Sequence, residues 1–169
     1  MEHIDYSKFK IIDYNKSYAD LIDNMEINQW GVWGEESIDE FVGENEIIRV
    51  ALYNNEFVGV AYGNIESADC FWIDVICLVP KFQKCGFGTL ILNDIIKTAK
   101  TRFKIKKIKT ESVYVNDHSN SKKLLEKRGF KVYKTSEKGY WGKLYPDVFC
   151  TECSHCPCEC TTLFYELEL

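Results

Sequence analysis

Hydrophobic and polar positions change their spacing along the chain, and each spacing predicts an element. Residues 9–14, FKIIDY, predict a first strand. Residues 17–30, SYADLIDNMEINQW, carry apolar side chains three and four positions apart, which indicates an amphipathic helix with Ser17 as its cap. Residues 37–42, SIDEFV, predict a second short helix, because Ser37 and Glu40 form a capping-box pattern.

Strand patterns dominate the middle of the chain. Residues 47–65, IIRVALYNNEFVGVAYGNI, predict a hairpin that turns at Asn54 and Asn55. Residues 70–80, CFWIDVICLVP, are apolar at nearly every position, which is typical of a central strand covered on both faces. The helix that follows residues 86–88 carries one apolar stripe, formed by Leu92, Ile95, Ile96 and Ala99.

The remaining segments complete the predicted fold. Residues 104–115 predict a strand, and residues 119–130 predict a short helix that ends at Gly129. Residues 130–133 and 162–169 supply two more strands. The order of elements predicts an α/β fold with a single mixed, mainly antiparallel sheet flanked by helices, and one domain over residues 1–169.

Composition and charge narrow the classes of function. The chain has 169 residues, of which 46% are hydrophobic, so it is long and apolar enough for one folded core. A net charge of −5 argues against general binding to nucleic acid or to anionic membranes. No apolar run approaches a membrane span, and the N-terminus lacks a signal-peptide layout, so we expect a cytoplasmic protein with no membrane partner.

One local segment departs from the acidic balance. Residues 97–109, KTAKTRFKIKKIK, contain seven basic side chains. They fit a solvated helix end and edge strand, or a contact with a phosphorylated ligand.

Five of the eight cysteines lie in the eleven residues 150–160, CTECSHCPCEC. In a reducing compartment, such clusters are more often metal ligands than disulfides. We therefore predict a structural Zn²⁺ knuckle in which four of the five thiolates bind the metal. His155 is an alternative ligand, and a redox-active dithiol or unligated thiols are competing interpretations. The candidate metal ligands are Cys150, Cys153, Cys156, Cys158 and Cys160.

The segment QKCGFGT, residues 83–89, joins the end of a predicted strand to the start of a helix. The first N–H groups of a helix have no intrahelical acceptor, and the helix dipole favours negative charge there. Glycines at positions 86 and 88 remove the Cβ atoms that would keep an anion away from those donors. The segment can thus bind a pyrophosphate or form a tight turn, but it is neither a Rossmann fingerprint nor a P-loop.

Together these features resemble a known family. A strand, Val79-Pro80, the pattern Gln83-x-x-Gly86-x-Gly88 and then a helix resemble the acyl-CoA signature of the GNAT acetyltransferase superfamily. Residues 121–130, SKKLLEKRGF, resemble its late helix and the strand after it, and the resemblance covers about residues 8–169. It implies transfer of an acetyl group from acetyl-CoA to a primary amine, on a small molecule or a protein N-terminus, by direct attack in a ternary complex. A homodimer is a further expectation, since dimers are common among such proteins.

The resemblance also implies roles for particular residues. Backbone N–H groups from Lys84 to Thr89, after Gln83, would hold the CoA pyrophosphate. Leu78 would contact the pantetheine arm, and its N–H would stabilise the oxyanion formed during attack. The implied cofactor-binding residues are Leu78, Val79, Gln83, Lys84, Cys85, Gly86, Phe87, Gly88, Thr89 and His118.

The sequence departs from the family pattern at the general acid. Many members carry a tyrosine in the late helix that protonates the departing thiolate, and Leu125 stands at that position. An asparagine often found seven residues earlier is replaced by His118, which is a candidate acid or a solvated loop residue. A catalytically idle module that binds acyl-CoA or a protein partner is therefore the alternative function.

The acceptor amine must lose a proton before it attacks, so a carboxylate near the predicted cofactor site is the expected base. Asp74 is the first candidate, because a charged side chain inside WIDVICL is unusual for a plain core strand. Glu111, on a neighbouring strand, is the second. A structural role for Asp74 is the alternative. The aromatic side chains that could line the acceptor pocket, or simply pack, are Trp30, Trp33, Tyr140 and Trp141.

Overall fold

A single seven-stranded sheet forms the frame of the protein in a computed structural model that describes residues 4–31, 37–115, 118–119 and 121–169. The strands lie in the order β1-β2-β3-β4-β5-β7-β6. Their bounds are β1 (Phe9–Asp13), β2 (Glu46–Tyr53), β3 (Glu56–Ser67), β4 (Cys70–Leu78), β5 (Lys107–Tyr114), β6 (Lys131–Thr135) and β7 (Thr161–Glu168). Only β4 and β5 pair in parallel, so the prediction of a mixed, mainly antiparallel sheet flanked by helices is confirmed.

Helices cover both faces of this sheet. The α-helices of the described part are α1 (Ala19–Trp30), α2 (Phe87–Phe103), α3 (Lys122–Arg128) and α4 (Tyr140–Leu144), and 3₁₀ turns occupy Tyr6–Lys8, Lys16–Tyr18, Ile38–Phe41 and Pro80–Phe82. The apolar stripe of α2 packs with Leu125 of α3 against one face. Ile22 and Met25 of α1 pack against the other. The α2 helix also connects β4 to β5, as a crossover between parallel strands requires.

Two local predictions have different outcomes. The β2–β3 hairpin turns at Asn54 and Asn55, which have φ angles of 52° and 65°, as a two-residue turn between twisted strands requires. The predicted cap of α1 is wrong. Ser17 lies inside the 3₁₀ turn before α1, and Asn15 caps that turn by accepting a hydrogen bond from the Ser17 N–H at 3.1 Å. An asparagine side chain competes well for such a donor, so the chain tightens before it becomes α-helical.

Strand β4 is the central strand that its apolar sequence predicted. Phe71 and Ile73 face the α2 side, whereas Val75 and Cys77 face the α1 side. Its neighbour β3 contributes Gly63, where a Cβ atom would lie 2.0 Å from the carbonyl oxygen of Trp72. The absence of that atom lets β3 and β4 approach closely.

No helix in the described part of the chain is both long and apolar enough to cross a membrane.

Candidate acetyl-transfer site

The strands β4 and β5 separate in the middle of the sheet. Their parallel pairing runs from Cys70 with Lys107 to Ile73 with Thr110, although both strands continue beyond that point. Asp74 and Glu111 are the next residue on each strand, and Asp74 is the extra residue of a β-bulge between β3 and β4. Bulges redirect side chains, and this one lies where the sheet opens. The structure therefore brings the two predicted carboxylates together at the opening.

Electrostatics distinguish these two carboxylates from ordinary surface acids. Asp74 keeps contact with solvent, but the protein atoms around its carboxylate remove hydration and raise its pKa to about 6, against the lowering effect of the Asn64 amide, which donates to it at 2.9 Å. Burial and the negative charge of Asp74 raise the pKa of Glu111 to about 7. A pKa near the working pH is what a general base needs, because the group is then ionised and still basic enough to take a proton.

The end of β4 presents its backbone groups in two directions. The Val79 N–H donates to the carbonyl oxygen of Val58 at 2.9 Å. Because donors alternate along an antiparallel ladder, the Leu78 N–H points away from β3, toward the side that β5 has left. The Leu78 carbonyl oxygen accepts from two side-chain amides, Gln29 at 2.9 Å and Gln83 at 3.0 Å. Those two bonds occupy both of its lone pairs.

The segment 83–89 has the backbone form that an anion site needs. Lys84 and Gly86 have φ angles of 60° and 84°, and Gly86 precedes α2 without any side-chain cap. Within the described part of the chain, the N–H groups of residues 84–88 have no backbone acceptor. The Thr89 N–H is different from the prediction, since it donates to the Gly86 carbonyl oxygen at 3.1 Å as part of the first helical turn.

Side chains around this segment hold it in place. Phe87 is buried and stacks on Phe9 with their ring centroids 4.5 Å apart, so it contributes its N–H to the loop and its ring to the core. Tyr6 donates its hydroxyl to the Cys85 carbonyl oxygen at 2.8 Å. The first turn of α2 has no acidic residue, which leaves its positive dipole end uncompensated.

The position of the expected general acid lies in the core. Leu125 is 2% exposed and packs with α2. His118 is exposed in the connection between β5 and α3, where it pairs with Val115. Ser121, just before α3, donates to Ser112 of β5 at 2.6 Å and ties the late helix to the opening strand.

Four of the five clustered cysteines converge. The sulfur atoms of Cys150, Cys153, Cys158 and Cys160 all lie within 4.8 Å of one another, and the Cys150 and Cys160 sulfurs are 3.8 Å apart. Tetrahedral Zn²⁺ with Zn–S bonds of about 2.3 Å requires sulfurs about 3.8 Å apart, so the spacing fits that ion. We call residues 150–160 the cysteine knuckle.

The other two candidates of the knuckle lie outside this set. The Cys156 thiol points to the Pro146 carbonyl oxygen at 3.6 Å, and the exposed His155 places its Nδ1 2.6 Å from the Cys153 carbonyl oxygen. The sequence prediction of four ligands among five cysteines is thereby reduced to one set of four.

Backbone donors inside the knuckle support thiolate charge. The Glu159 N–H donates to the Cys153 sulfur and the Cys160 N–H to the Cys158 sulfur, both at 3.4 Å. Burial opposes ionisation of Cys153, but the backbone N–H groups of Glu159 and His155 and the neighbouring thiols outweigh it and lower the Cys153 pKa to about 6. Burial raises the pKa of Cys158 to about 11. Four thiolates this close repel one another, so only a bound cation lets all four ionise.

Aromatic side chains line one side of the opening. Phe164 of β7 is the register partner of Glu111, and Tyr140 of α4 packs edge-on against it with centroids 5.7 Å apart. Trp141 packs on the cysteine knuckle. Trp30 is the last residue of α1 and packs in the core on the α1 face of the sheet. The fourth aromatic candidate, Trp33, lies outside the described residues.

The basic residues 97–109 lie far from the anion loop. The α2 helix has 17 residues and is about 25 Å long, and the basic segment begins near its far end. Arg102 donates to the carbonyl oxygens of Glu44 and Glu46, and Lys109 pairs with Glu66 at 2.8 Å. These contacts favour the interpretation of a solvated helix end. The predicted edge strand is wrong, because β5 lies between β4 and β7 in the sheet.

The sequence analysis missed a third unusual carboxylate, Glu26 of α1. It is 5% exposed and accepts a hydrogen bond from the Tyr62 hydroxyl at 3.2 Å, while its Oε1 has no partner among the described residues. Burial raises the pKa of Glu26 to about 7, against the effect of the Tyr62 bond. Glu26 lies four residues after Ile22 on the apolar stripe of α1, and a carboxylate at such a position is the sequence signal that could have identified it as buried.

Replacing Glu26 by glutamine should stabilise the protein at high pH. The folded pKa exceeds the ordinary value of 4.5, so the wild type loses stability as pH rises from about 4.5 through about 7. Glu26→Gln does not ionise, so we expect a gain of about 2–3 kcal/mol at pH 8, or roughly 6 °C in Tm, and almost none at pH 4. Thermal unfolding at both pH values measures it. The exposed Glu40→Gln serves as control, and an equal Tm gain at pH 4 and pH 8 would contradict the argument.

A comparison with known families and structures agrees with this geometry. Residues 14–130 match the family model described as the acetyltransferase (GNAT) family. No curated protein sequence matches the chain.

Several solved structures share the fold over nearly the whole chain. A GNAT family acetyltransferase from Elizabethkingia anophelis with acetyl-CoA bound is 21% identical, with 96% of this chain and 99% of that chain covered and a TM-score of 0.68. The ribosomal-protein-S18-alanine N-acetyltransferase from Escherichia coli is 18% identical, with 95% and 93% covered and a TM-score of 0.70. An aminoglycoside 6'-N-acetyltransferase complexed with coenzyme A is 12% identical, with 94% and 96% covered and a TM-score of 0.74.

Proposed function

Because the chain belongs to the GNAT family of acetyltransferases, we propose that it transfers an acetyl group from acetyl-CoA to a primary amine by direct attack in a ternary complex. One observation carries this proposal. The pairing of β4 and β5 stops at Ile73 and Thr110, so that Asp74, Glu111 and the unpaired side of the Leu78 backbone surround one opening.

In this proposal the segment 83–89 holds the CoA pyrophosphate. The free N–H groups of residues 84–88 donate to the phosphate oxygens, and the N-terminal end of the α2 dipole adds favourable charge. Leu78 and Val79 adjoin the pantetheine arm. Since both lone pairs of the Leu78 carbonyl are already used by Gln29 and Gln83, the Leu78 N–H is the backbone group there that would donate to the thioester oxygen, in place of its bond to the Cys77 sulfur.

The chemistry follows from the groups at the opening. Asp74, with Glu111 beside it, takes a proton from the ammonium form of the acceptor, and the neutral amine attacks the thioester carbonyl carbon. The carbonyl oxygen becomes an oxyanion that the Leu78 N–H stabilises, and one such donor is worth about 2.7–4 kcal/mol of the barrier. The carbonyl then re-forms, the C–S bond breaks, and CoA leaves as a thiolate with the electron pair, while the nitrogen gives its remaining extra proton to water and becomes a neutral amide.

The departing thiolate needs no dedicated acid from the late helix. Leu125 cannot donate a proton, but a thiol of ordinary pKa, about 8.5, leaves readily as a thiolate and takes a proton from water. His118 is exposed near the end of β5. Of the two positions matched to the family's general-acid region, Leu125 and His118, His118 is the one with a titratable side chain.

The acceptor in this proposal is a small molecule or a protein N-terminus. Two enzymes with a similar fold are named for acceptors of these two kinds. One is named for the alanine of a ribosomal protein and the other for aminoglycosides, which are small-molecule amines. The buried leucine at position 125 favours a second candidate, an idle module that binds acyl-CoA or a protein partner without turnover.

We also propose that the cysteine knuckle holds one structural Zn²⁺ through Cys150, Cys153, Cys158 and Cys160. The 3.8 Å separation of the Cys150 and Cys160 sulfurs supports Zn²⁺, and four thiolates favour a soft or borderline metal over Mg²⁺ or Ca²⁺. The metal would join the segment before β7 to Val113 and Val115 of β5, on which the knuckle packs.

Calorimetric titration of the reduced protein with acetyl-CoA, and with CoA as a reference, tests the proposed cofactor site. We expect micromolar binding, about −8 kcal/mol, which Gly86→Ala weakens because alanine is strained at a φ of 84° and its Cβ would lie 3.0 Å from the Tyr6 hydroxyl. Gly129→Ala, which carries a similar strain at a φ of 98°, lies outside the loop and should leave binding unchanged.

Turnover with a panel of amines then separates the two candidate functions. Acetylation of any amine excludes the idle module. Binding of acetyl-CoA without turnover over diamines, aminoglycosides, amino acids and peptide N-termini would favour it. A folded protein that binds no acetyl-CoA would contradict acetyl transfer and would leave only the idle module that binds a protein partner.

A further inference from the structure

The cysteine knuckle contacts the end of α1 through one side chain. The Thr151 hydroxyl donates to the backbone carbonyl oxygen of Gln29 at 3.2 Å. The last carbonyls of a helix have no intrahelical donors, and Gly31 serves only the carbonyl of Ile27. Thr151 therefore acts as a C-terminal cap of α1, supplied from 122 residues away in the sequence.

The same glutamine reaches the end of β4. Its side-chain amide donates to the Leu78 carbonyl oxygen at 2.9 Å, and the Gln83 amide donates to that oxygen at 3.0 Å. The Leu78–Val79 peptide is thus fixed on one side by β3, through the Val79 N–H, and on the other by two amides. Gln83 opens the proposed pyrophosphate loop, so this one oxygen joins α1, β4 and the loop.

We propose that Gln29 is a positioning residue that transmits the state of the cysteine knuckle to the acetyl-CoA site, through Thr151 on one side and the Leu78 carbonyl on the other. The inference rests on the proposed function and on the proposed metal. A metal-bound knuckle fixes Thr151 and hence the last turn of α1. An unligated knuckle keeps a few local backbone bonds, such as those between Cys150 and His155 and between Ser154 and Cys150.

The proposed chemistry uses neither the Gln29 amide nor the Thr151 hydroxyl, and the inferred link gives a role to both. Gln29 lies seven residues after Ile22 on the stripe of α1 that faces the sheet, where a polar side chain needs a buried partner. Thr151 is exposed, and its hydroxyl nevertheless meets a backbone carbonyl of another element. In this inference, Gln29 holds the Leu78 carbonyl at the end of β4, and Thr151 holds the turn of α1 that carries Gln29.

The test measures acetyl-CoA affinity, kinetic constants and metal content in Gln29→Ala, Thr151→Val and Thr151→Ser. We expect Gln29→Ala to weaken acetyl-CoA binding about 5–10-fold, the effect of one partly buried hydrogen bond, with metal content unchanged. Thr151→Val should lose about 2–3-fold, since its bond is exposed, and Thr151→Ser should restore the loss. The KM for acetyl-CoA should rise while the KM for the acceptor stays constant. Thr101→Val, which removes an exposed hydroxyl bond on α2 across the sheet, is the matched control.

Metal removal provides the decisive comparison. In the wild type, a chelator should reproduce the loss of affinity of about two- to threefold expected for Thr151→Val, and in Gln29→Ala it should add almost nothing, because the link is already broken. An equal additional loss in both proteins, or unchanged affinity in metal-bound Gln29→Ala, would overturn the inference. Failure of the wild type to bind acetyl-CoA at all would instead overturn the proposed function.

Discussion

Asparagine at position 74 should lower kcat/KM for acetyl transfer by about 100-fold or more, while acetyl-CoA affinity stays near that of the wild type. General-base catalysis contributes about 10²–10⁴-fold, and Asp74 is the carboxylate that the β-bulge turns into the opening. The substitution changes one oxygen to nitrogen, so the loss reflects proton transfer more than packing. We expect a smaller loss, about tenfold, in Glu111→Gln.

The pH dependence identifies the base. Wild-type kcat/KM should fall as pH drops through about 7 to 6, because the two carboxylates, with pKa values of about 6 and 7, take up protons there. Removing the charge of Asp74 favours ionisation of Glu111, so the residual activity of Asp74→Asn should fall at a lower pH. Kinetics from pH 5 to 9 with the best acceptor measure this. An unshifted acidic limb with less than twofold loss in both variants would show that neither carboxylate is the base.

Serine at position 150 or 160 should abolish stoichiometric zinc and lower Tm by about 10 °C or more. Structural Zn²⁺ supplies about 10–16 kcal/mol of binding free energy in small peptides, and even a third of that is large for a domain of 169 residues. Both thiols are buried in the set of four. Metal analysis and thermal unfolding of protein purified with zinc measure the effect.

Cys156→Ser supplies the control for the metal site. Its thiol is exposed and lies outside the set, so zinc content and Tm should equal those of the wild type. Zinc should also leave on acidification, because the ligands must be thiolates. A wild type without metal, together with equal Tm values for Cys150→Ser and Cys156→Ser, would contradict the zinc knuckle.

These effects meet at the opening between β4 and β5. The carboxylates lie at its base, the anion loop follows β4, and the knuckle packs on Val113 and Val115, beyond Glu111 on the same strand. The buried Glu26 carboxyl group of α1 and the Tyr62 hydroxyl of β3 form a hydrogen-bonded pair on the α1 face of the sheet. Several carboxylates with raised pKa values imply that the folded state loses stability as pH rises from about 4 to 7, which is the range where catalysis should increase.

The candidate site was only partly predictable from the sequence. Asp74 stands out because a charge interrupts an apolar strand, and the glycine loop stands out because it lies between a strand and a helix. The placement of Asp74 beside Glu111 depends on the register of β4 with β5, which joins residues 37 positions apart and leaves no local pattern. The choice of Cys158 over Cys156 depends on the path of the chain through the knuckle, since the spacing allows either.

The sequence alone determined the strands of the sheet, the position of the glycine loop between β4 and a helix, and the resemblance to the family. These depend on periodicity, glycine positions and neighbouring residues, all of which act over a few positions. Tertiary structure alone decided where β4 and β5 part, which four thiols converge, and that Gln29 lies between Thr151 and Leu78. Such contacts join distant segments, and their energies depend on packing and burial that exist only once the chain has folded.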